Sequence, residues 1–358
     1  MKIVFLLGAV NDSHIIKRVE SFRDKGYEVE VYGFQRDINA KNSFDNIKCH
    51  VIGQLKDEQY IGRIQTVRKA VTKVLDSYSK DTLFYVWGYD IACICYFMRR
   101  KYIYEISDIV YSYFSNPIKA AFKALDRRII ESSVVTLITS EGFVKFLNCR
   151  DEVASSKFIL MPNKLSDKFQ NLERPAFKPL GEKIKIGFVG YYRYPDTIVR
   201  MARVIGERFP DFEFHFWGIG SEKILRNIRQ ICKNTNNVFE HGSFKNPDDL
   251  YKVYESIDVV ACNYDYRGAN EQIAEPNKLY ESLFFNKAII VSVNTFLAEK
   301  VSKQQYGFIV DSLTDEKISD FFNRLTRDEV NRVAEHNSKV SASELIEDYS
   351  SIWKLKFN

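Results

Sequence analysis

Strand-like and helix-like segments alternate along almost the whole of this chain, and that alternation leaves few folds open. Lys2–Leu7 (KIVFLL) is a short continuous apolar run, the pattern of a strand buried on both faces. Ser13–Lys25 carries Ile15, Ile16, Val19 and Phe22 on one helical stripe, and Gly26 stops it. Glu28–Phe34 (EVEVYGF) reads as a second strand. Strand, helix and strand in that order make a β-α-β unit, whose two strands lie parallel in one sheet. The same alternation continues through an amphipathic helix at 61–78, strands at Thr82–Trp87 and Tyr102–Ile106, a helix at Pro117–Glu131, and strands at Val134–Thr139 and Phe158–Met161.

Residues 166–183 break the rhythm: they are polar and carry Pro175 and Pro179, the composition of a linker. A second series follows. Strands are expected at Ile184–Val189, Phe212–Trp217, Val238–His241, Val259–Asn263, Ala288–Val291 and Phe308–Val310, with helices between them and three more to the end. At roughly 150 residues per domain, 358 residues suit two domains. The expected organisation is a Rossmann-like domain at 1–170, a second at 171–340, and a C-terminal helix at 341–358 that crosses back to the first. Two such domains face each other across a cleft, and ligands of open α/β sheets bind at the carboxyl ends of the strands.

Composition removes several function classes. The net charge of +5 is too small for a strongly basic nucleic-acid binder. Its distribution is uneven: residues 1–170 hold 26 Lys and Arg against 20 Asp and Glu, the remainder 26 against 27. The six cysteines contain no C-x-x-C, and the five histidines fall at no metal-ligand spacing, so reduced thiols, no structural metal and no cofactor are expected. Met1–Val10 is apolar but short, and Asn11-Asp12-Ser13-His14 stands where a leader's cleavage site would be. No run reaches the ~18 apolar residues of a membrane span. A cytoplasmic protein is expected, peripheral on the inner face of a membrane. Basic residues cluster on the helix at Ile61–Lys80 (Arg63, Arg68, Lys69, Lys73, Lys80), on Pro117–Glu131 (Lys119, Lys123, Arg127, Arg128, with Phe122 among them) and at Arg99-Arg100-Lys101. Basic amphipathic helices of this kind can lie on an anionic leaflet.

No G-x-G-x-x-G follows the first strand and no Walker A loop is present, which argues against a dinucleotide dehydrogenase and a P-loop kinase. The most informative stretch is Asn270–Val291. Pro276 suits a first helical turn, and the backbone N–H groups of Asn277, Lys278 and Leu279 would open an anion site that Lys278 reinforces. Glu281, one turn on, could accept two sugar hydroxyls. A phosphate and a diol held together describe a nucleoside diphosphate.

Pro276-Asn277-Lys278-Leu279-Tyr280-Glu281, followed by Asn286-Lys287-Ala288-Ile289-Ile290, resembles the P-x-K-x-x-E…G-K-P-V-I signature of GT-B glycosyltransferases, most closely glycosyltransferase family 4 and its relatives in bacterial polysaccharide assembly. Lys185–Gly190 with Tyr191-Tyr192-Arg193, Phe214–Gly218, Asn237–Gly242 and Ser256–Asn263 resemble the donor domain's successive strands. Thr139-Ser140-Glu141-Gly142 and Met161-Pro162-Asn163 resemble motifs of the acceptor domain. The resemblance implies the GT-B fold and a nucleotide-sugar donor, a UDP-sugar, held by Gly190, Arg193, Pro276, Asn277, Lys278, Leu279 and Glu281, with Glu281 on the ribose. It implies a glycan or lipid-linked acceptor for a capsule, O-antigen or similar surface polysaccharide.

The chain also departs from the pattern. A family member carries a second glutamate eight positions before the one at Glu281, and here that position is Ile273; Glu275 is favoured as its replacement over Glu271. The family's D-x-H-D reads Glu105-Ile106-Ser107-Asp108, and Asp108 becomes a candidate general base. Gly8, Asn11, His14 and Asp90 are candidates on the acceptor side. Two other readings share the fold: an enzyme resembling UDP-sugar 2-epimerase, and a catalytically degenerate sugar-binding or partner subunit.

Overall fold

The computed structural model describes residues 1–35, 44, 47–55, 60–355 and 357, leaving aside the side chains of Ser13 and of 60–63, Arg63 among them. The chain divides into two compact units, Met1–Pro162 with Asp348–Asn358, and Asn163–Glu347. Each is built on a parallel sheet.

The first sheet has the order β3-β2-β1-β4-β5-β6-β7: Lys48–Gln54, Glu28–Gln35, Lys2–Leu7, Leu83–Trp87, Lys101–Ile106, Val135–Ile138 and Phe158–Leu160. The second has the order β10-β9-β8-β11-β12-β13: Val238–Gly242, Phe212–Gly220, Ile184–Tyr192, Val259–Cys262, Ala288–Ser292 and Gly307–Val310. In each the strand order reverses once, between β1 and β4 and between β8 and β11. A crevice opens at such a reversal because successive connections leave in opposite directions.

The apolar runs explain the layering. β1 is buried from Ile3 to Leu7, and its Ile3, Phe5 and Leu7 pack against Ile15, Val19 and Phe22 of the helix Ser13–Asp24. In the second unit Phe212, Phe214 and Phe216 face Met201, Val204 and Ile205 of the helix Arg200–Arg208. On the opposite face of that sheet, Val189 and Val260 meet Val253, Tyr254 and Leu279.

The unit boundaries fall at 162/163 and 347/348, not at 170/171 and 340/341. The cause is local pairing. Leu165 bridges to Ile346, its N–H donating to Leu345 O at 3.0 Å, and Phe169 meets the Phe284 ring at 5.1 Å, so both crossing segments are tied into the second unit. Beyond 347 the chain joins the first unit, where Trp353 lies 4.9 Å from Phe22 and 5.9 Å from Tyr27. Among the described residues no helix is long and apolar enough to cross a membrane.

Candidate active site

In the second unit the segment before β12 makes one cage. Asn277 precedes the helix Lys278–Phe284, every residue of which is buried. Lys278 points its ammonium back under the carboxyl end of β8. There Nζ donates to the Tyr264 hydroxyl at 3.2 Å and stands 5.0 Å from the Phe188 ring centre. A Cβ on Gly190 would lie 3.1 Å from that Nζ, and Gly190 has φ +127°, so a glycine is required by backbone and by space. Burial pulls the Lys278 ammonium below its ordinary value, with Arg193 acting the same way and Cys262 and Glu281 against it. Among the described residues this buried cation has no ion pair, only the more distant Glu281 and Cys262 on its side, and a diphosphate would supply one.

Glu281 lies one turn further on the same helix. Its Oε1 accepts from Asn277 Nδ2 at 2.8 Å and its Oε2 from the buried Tyr254 hydroxyl at 2.5 Å. Each carboxylate oxygen keeps further acceptor capacity, so the fixed carboxylate can take a vicinal diol.

The free N–H groups expected at the start of this helix need correction. The Leu279 N–H donates to Pro276 O at 3.2 Å, and the helix has only seven residues, too few for a large dipole. Positive charge at the site comes mainly from the Lys278 side chain. Arg193 is exposed on the loop after β8, its guanidinium 5.4 Å from the Tyr191 ring centre.

The two carboxylates that flank Ile273 take different surroundings. Glu275 is buried and accepts from Lys300 Nζ at 2.7 Å and from the Tyr280 hydroxyl. Glu271 accepts from the Tyr194 hydroxyl at 3.2 Å, and the Tyr194 ring stacks on Tyr264 at 4.8 Å, which in turn receives Lys278. Glu271, rather than Glu275, is therefore the carboxylate linked to the Lys278 cage. Sequence offered two residues at equal offset from Ile273; their partners Tyr194 and Lys300 lie far away in the chain.

In the first unit the candidates gather at the carboxyl ends of β1, β4 and β5, which are neighbours in the sheet. Gly8 follows β1 and donates its N–H to Trp87 O at 3.2 Å. Asn11 lies in the turn after it. Asp90 sits in the first turn of the helix Tyr89–Phe97, with Oδ1 accepting the Ile91 N–H at 3.1 Å. Asp108 is exposed two residues past β5.

His14 opens the helix Ser13–Asp24, its N–H on Asp12 Oδ1 at 2.9 Å, and its ring meets a group that sequence reading missed. Nε2 lies 2.6 Å from Glu105 Oε1 on β5. Arg18 Nε donates to the same oxygen at 3.2 Å, and the Tyr85 hydroxyl of β4 donates to Oε2. Burial raises the Glu105 pKa, yet Arg18 and His14 outweigh it and hold the carboxyl near 2. A carboxylate only accepts, so Nε2 carries the proton of this hydrogen bond. Two signals could have found this cluster: His14 and Arg18 stand four apart on one helical face, and Glu105 is the one carboxylate in KYIYEI.

Residues 170–342 match the model of the family described as Glycosyl transferases group 1. Solved structures show the whole chain's architecture. Sucrose-phosphate synthase from Thermosynechococcus elongatus superposes with a TM-score of 0.73 at 12% identity, over 98% of this chain and 96% of that one. HepE from Anabaena in complex with UDP-glucose gives 0.68 at 15%, over 96% and 95%. WaaG, a glycosyltransferase involved in lipopolysaccharide biosynthesis, gives 0.66 at 12%, over 96% and 97%. Identities this low show the fold, and that fold is GT-B. No curated protein sequence matches the chain. The Lys278 cage and Glu281 both lie within the matched residues.

Proposed function

We propose that the chain moves a sugar from a UDP-sugar to a hydroxyl of a glycan or lipid-linked acceptor, in the assembly of a bacterial surface polysaccharide. The observation that carries this reading is the pairing, on one buried helix, of the Lys278 ammonium with the Glu281 carboxylate, a cation for the diphosphate and an acceptor pair for the ribose. The uridine preference draws on HepE, solved with UDP and with UDP-glucose. Lys278 and Arg193 neutralise the leaving diphosphate in this reading, the work a metal ion does elsewhere. The acceptor side belongs to the first unit, with Gly8, Asn11, His14, Asp90 and Asp108 at its carboxyl edge. The enzyme acts in the cytoplasm, at the inner face of the membrane.

The test is titration with UDP, GDP and ADP, and release of nucleotide from the matching sugars. UDP is expected to bind best. Glu281→Ala and Lys278→Met should each weaken it by roughly 10- to 100-fold, the worth of a charge-assisted hydrogen bond. Unchanged UDP affinity in both variants, with native melting behaviour, would remove the donor site from this helix.

A further inference from the structure

Tyr194 and Tyr264 each lie two residues past the end of a strand, β8 and β11, the neighbours between which the order of the second sheet reverses and its crevice opens. Two energetic costs fall on them. The first is backbone strain: Tyr194 has φ +59° and ψ +63°. Among the described residues six non-glycine residues adopt a positive φ; three are Asn, which tolerates it, and Tyr194 is the one aromatic ring. Its carbonyl accepts the Thr197 and Ile198 N–H groups at 3.2 and 3.0 Å, a turn into the next helix that glycine would make at less strain. Strain of this kind collects at functional sites. The second cost is like charge. Burial acts most strongly on the Lys278 ammonium, which it lowers, and on the Tyr194 and Tyr264 phenols, which it raises; Arg193 lowers all three, so its guanidinium is felt by each. Two cations thus share one neighbourhood. Arg193 is exposed, and Gly190 and both rings are half-buried, so this row borders solvent.

We propose that Tyr194 and Tyr264 are positioning residues whose stacked rings hold Arg193 and Lys278 together as a two-cation clamp for the donor's diphosphate. This inference rests on the donor-site reading above and adds what sets the clamp. The Tyr194 ring stacks on Tyr264 with centroids 4.8 Å apart and planes 29° apart, and its hydroxyl donates to Glu271 Oε1 at 3.2 Å. Tyr264 is fixed in turn: its N–H donates to Cys262 O at 3.0 Å and its carbonyl accepts the Ser292 hydroxyl at 2.5 Å. Its own hydroxyl orients Lys278 Nζ. Fixing Tyr194 fixes the peptide that carries Arg193. The repulsion between the cations is met on folding and becomes attraction once a polyanion binds, which is electrostatic preorganisation. A diphosphate can engage both cations and a monophosphate fewer of their donors, so the clamp's signature is a preference for UDP over UMP.

The experiment is calorimetric titration of the full chain with UDP and with UMP. The native chain should favour UDP. Tyr194→Gly relieves the backbone and removes the ring, and should cut the UDP:UMP affinity ratio by roughly tenfold, the worth of one charge-assisted hydrogen bond. Tyr194→Asn, which also suits the left-handed backbone, stands in where the glycine variant does not fold. Tyr264→Phe keeps the ring but releases Nζ, and should lower the ratio by about threefold or more, within the range of a single hydrogen bond. Tyr194→Phe keeps the stack and should retain most of the ratio. A purely structural role would weaken UDP and UMP by the same factor and leave the ratio in place. An unchanged ratio in either folded variant, at position 194 or at position 264, overturns the positioning role of that residue. Failure of the donor reading shows separately, as a native chain that binds UDP no better than UMP.

Discussion

Arg174 shows how a single side chain can hold the helix Lys278–Phe284. Its guanidinium donates to five backbone carbonyls: Leu283 O at 2.5 Å and Phe284 O at 3.0 Å, at the end of the helix Lys278–Phe284, Asn337 O at 2.7 Å and Ser338 O at 3.1 Å, at the end of Arg327–Ser338, and Val340 O just beyond. The last carbonyls of a helix have no partner within it, and here one cation serves two helix ends at once. Arg174→Met keeps the stem and removes every donor. We expect it to cost roughly 2–4 kcal/mol of stability, read as a lower denaturant midpoint, and to weaken UDP binding, because Lys278 and Glu281 ride on the clamped helix. A variant with native UDP affinity would show that the helix is held without it. Sequence placed Arg174 in a polar linker, and nothing more could be read there. Its acceptors are backbone oxygens, present in every residue, so no residue code marks them. The motif from Pro276 to Glu281 was legible because its chemistry lies in side chains at fixed spacing.

At the scale of elements, the helix Asn116–Ser132 is joined to the short turn Val110–Tyr113 by one buried carboxyl. Asp126 accepts the Tyr111 hydroxyl at 2.7 Å, while its Oδ1 has no hydrogen-bond partner among the described residues. Burial pushes Asp126 up to about 7, against the hydrogen bonds of Tyr111 and Tyr104. An unfolded Asp titrates near 4. Between about pH 4 and 7 the folded chain thus keeps a proton that the unfolded chain has released, and stability falls as pH rises through that window. Asp126→Asn removes the penalty. It should melt higher than the native chain at pH 7.5, by no more than ~4 kcal/mol equivalent, and gain far less at pH 4.5, about 1 kcal/mol or below. A gain independent of pH would refute the assignment. The parallel strands were legible as apolar runs. β3 was not, since its edge position leaves it half exposed, and the helix Tyr89–Phe97 is apolar on nearly all sides and shows no stripe. Phe122, met in sequence among basic residues, is half-buried, with its ring 5.3 Å from Phe114 and 5.7 Å from Tyr89.

Across the whole molecule the charge asymmetry survives the corrected boundaries. Met1–Pro162 with Asp348–Asn358 still carries 26 basic against 20 acidic residues, and Asn163–Glu347 carries 26 against 27. Part of the basic excess has internal work: Arg100 donates to Tyr78 O and Ser79 O, both at 3.2 Å, just past the end of the helix Tyr60–Asp76. Exposed cations for an anionic surface remain on the helix Tyr60–Asp76 (Arg68, Lys69 and Lys73) and on the helix Asn116–Ser132, where Lys119 and the exposed Arg128 follow Tyr113 and Ile118, which are 57% and 49% exposed. Two apolar groups beside a row of cations fit the interface of an anionic leaflet, at about 1 kcal/mol per basic residue near the surface. The full chain should therefore sediment with vesicles containing phosphatidylglycerol, bind neutral vesicles weakly, and release in 0.5 M salt, where the screening length drops to roughly 4 Å. Lys119→Glu with Arg128→Glu reverses two charges and should lower the vesicle affinity at least tenfold without touching UDP binding. Equal binding to neutral and anionic vesicles, or no effect of the double reversal, would place the +6 of the first unit elsewhere, on a phosphorylated acceptor rather than on a membrane.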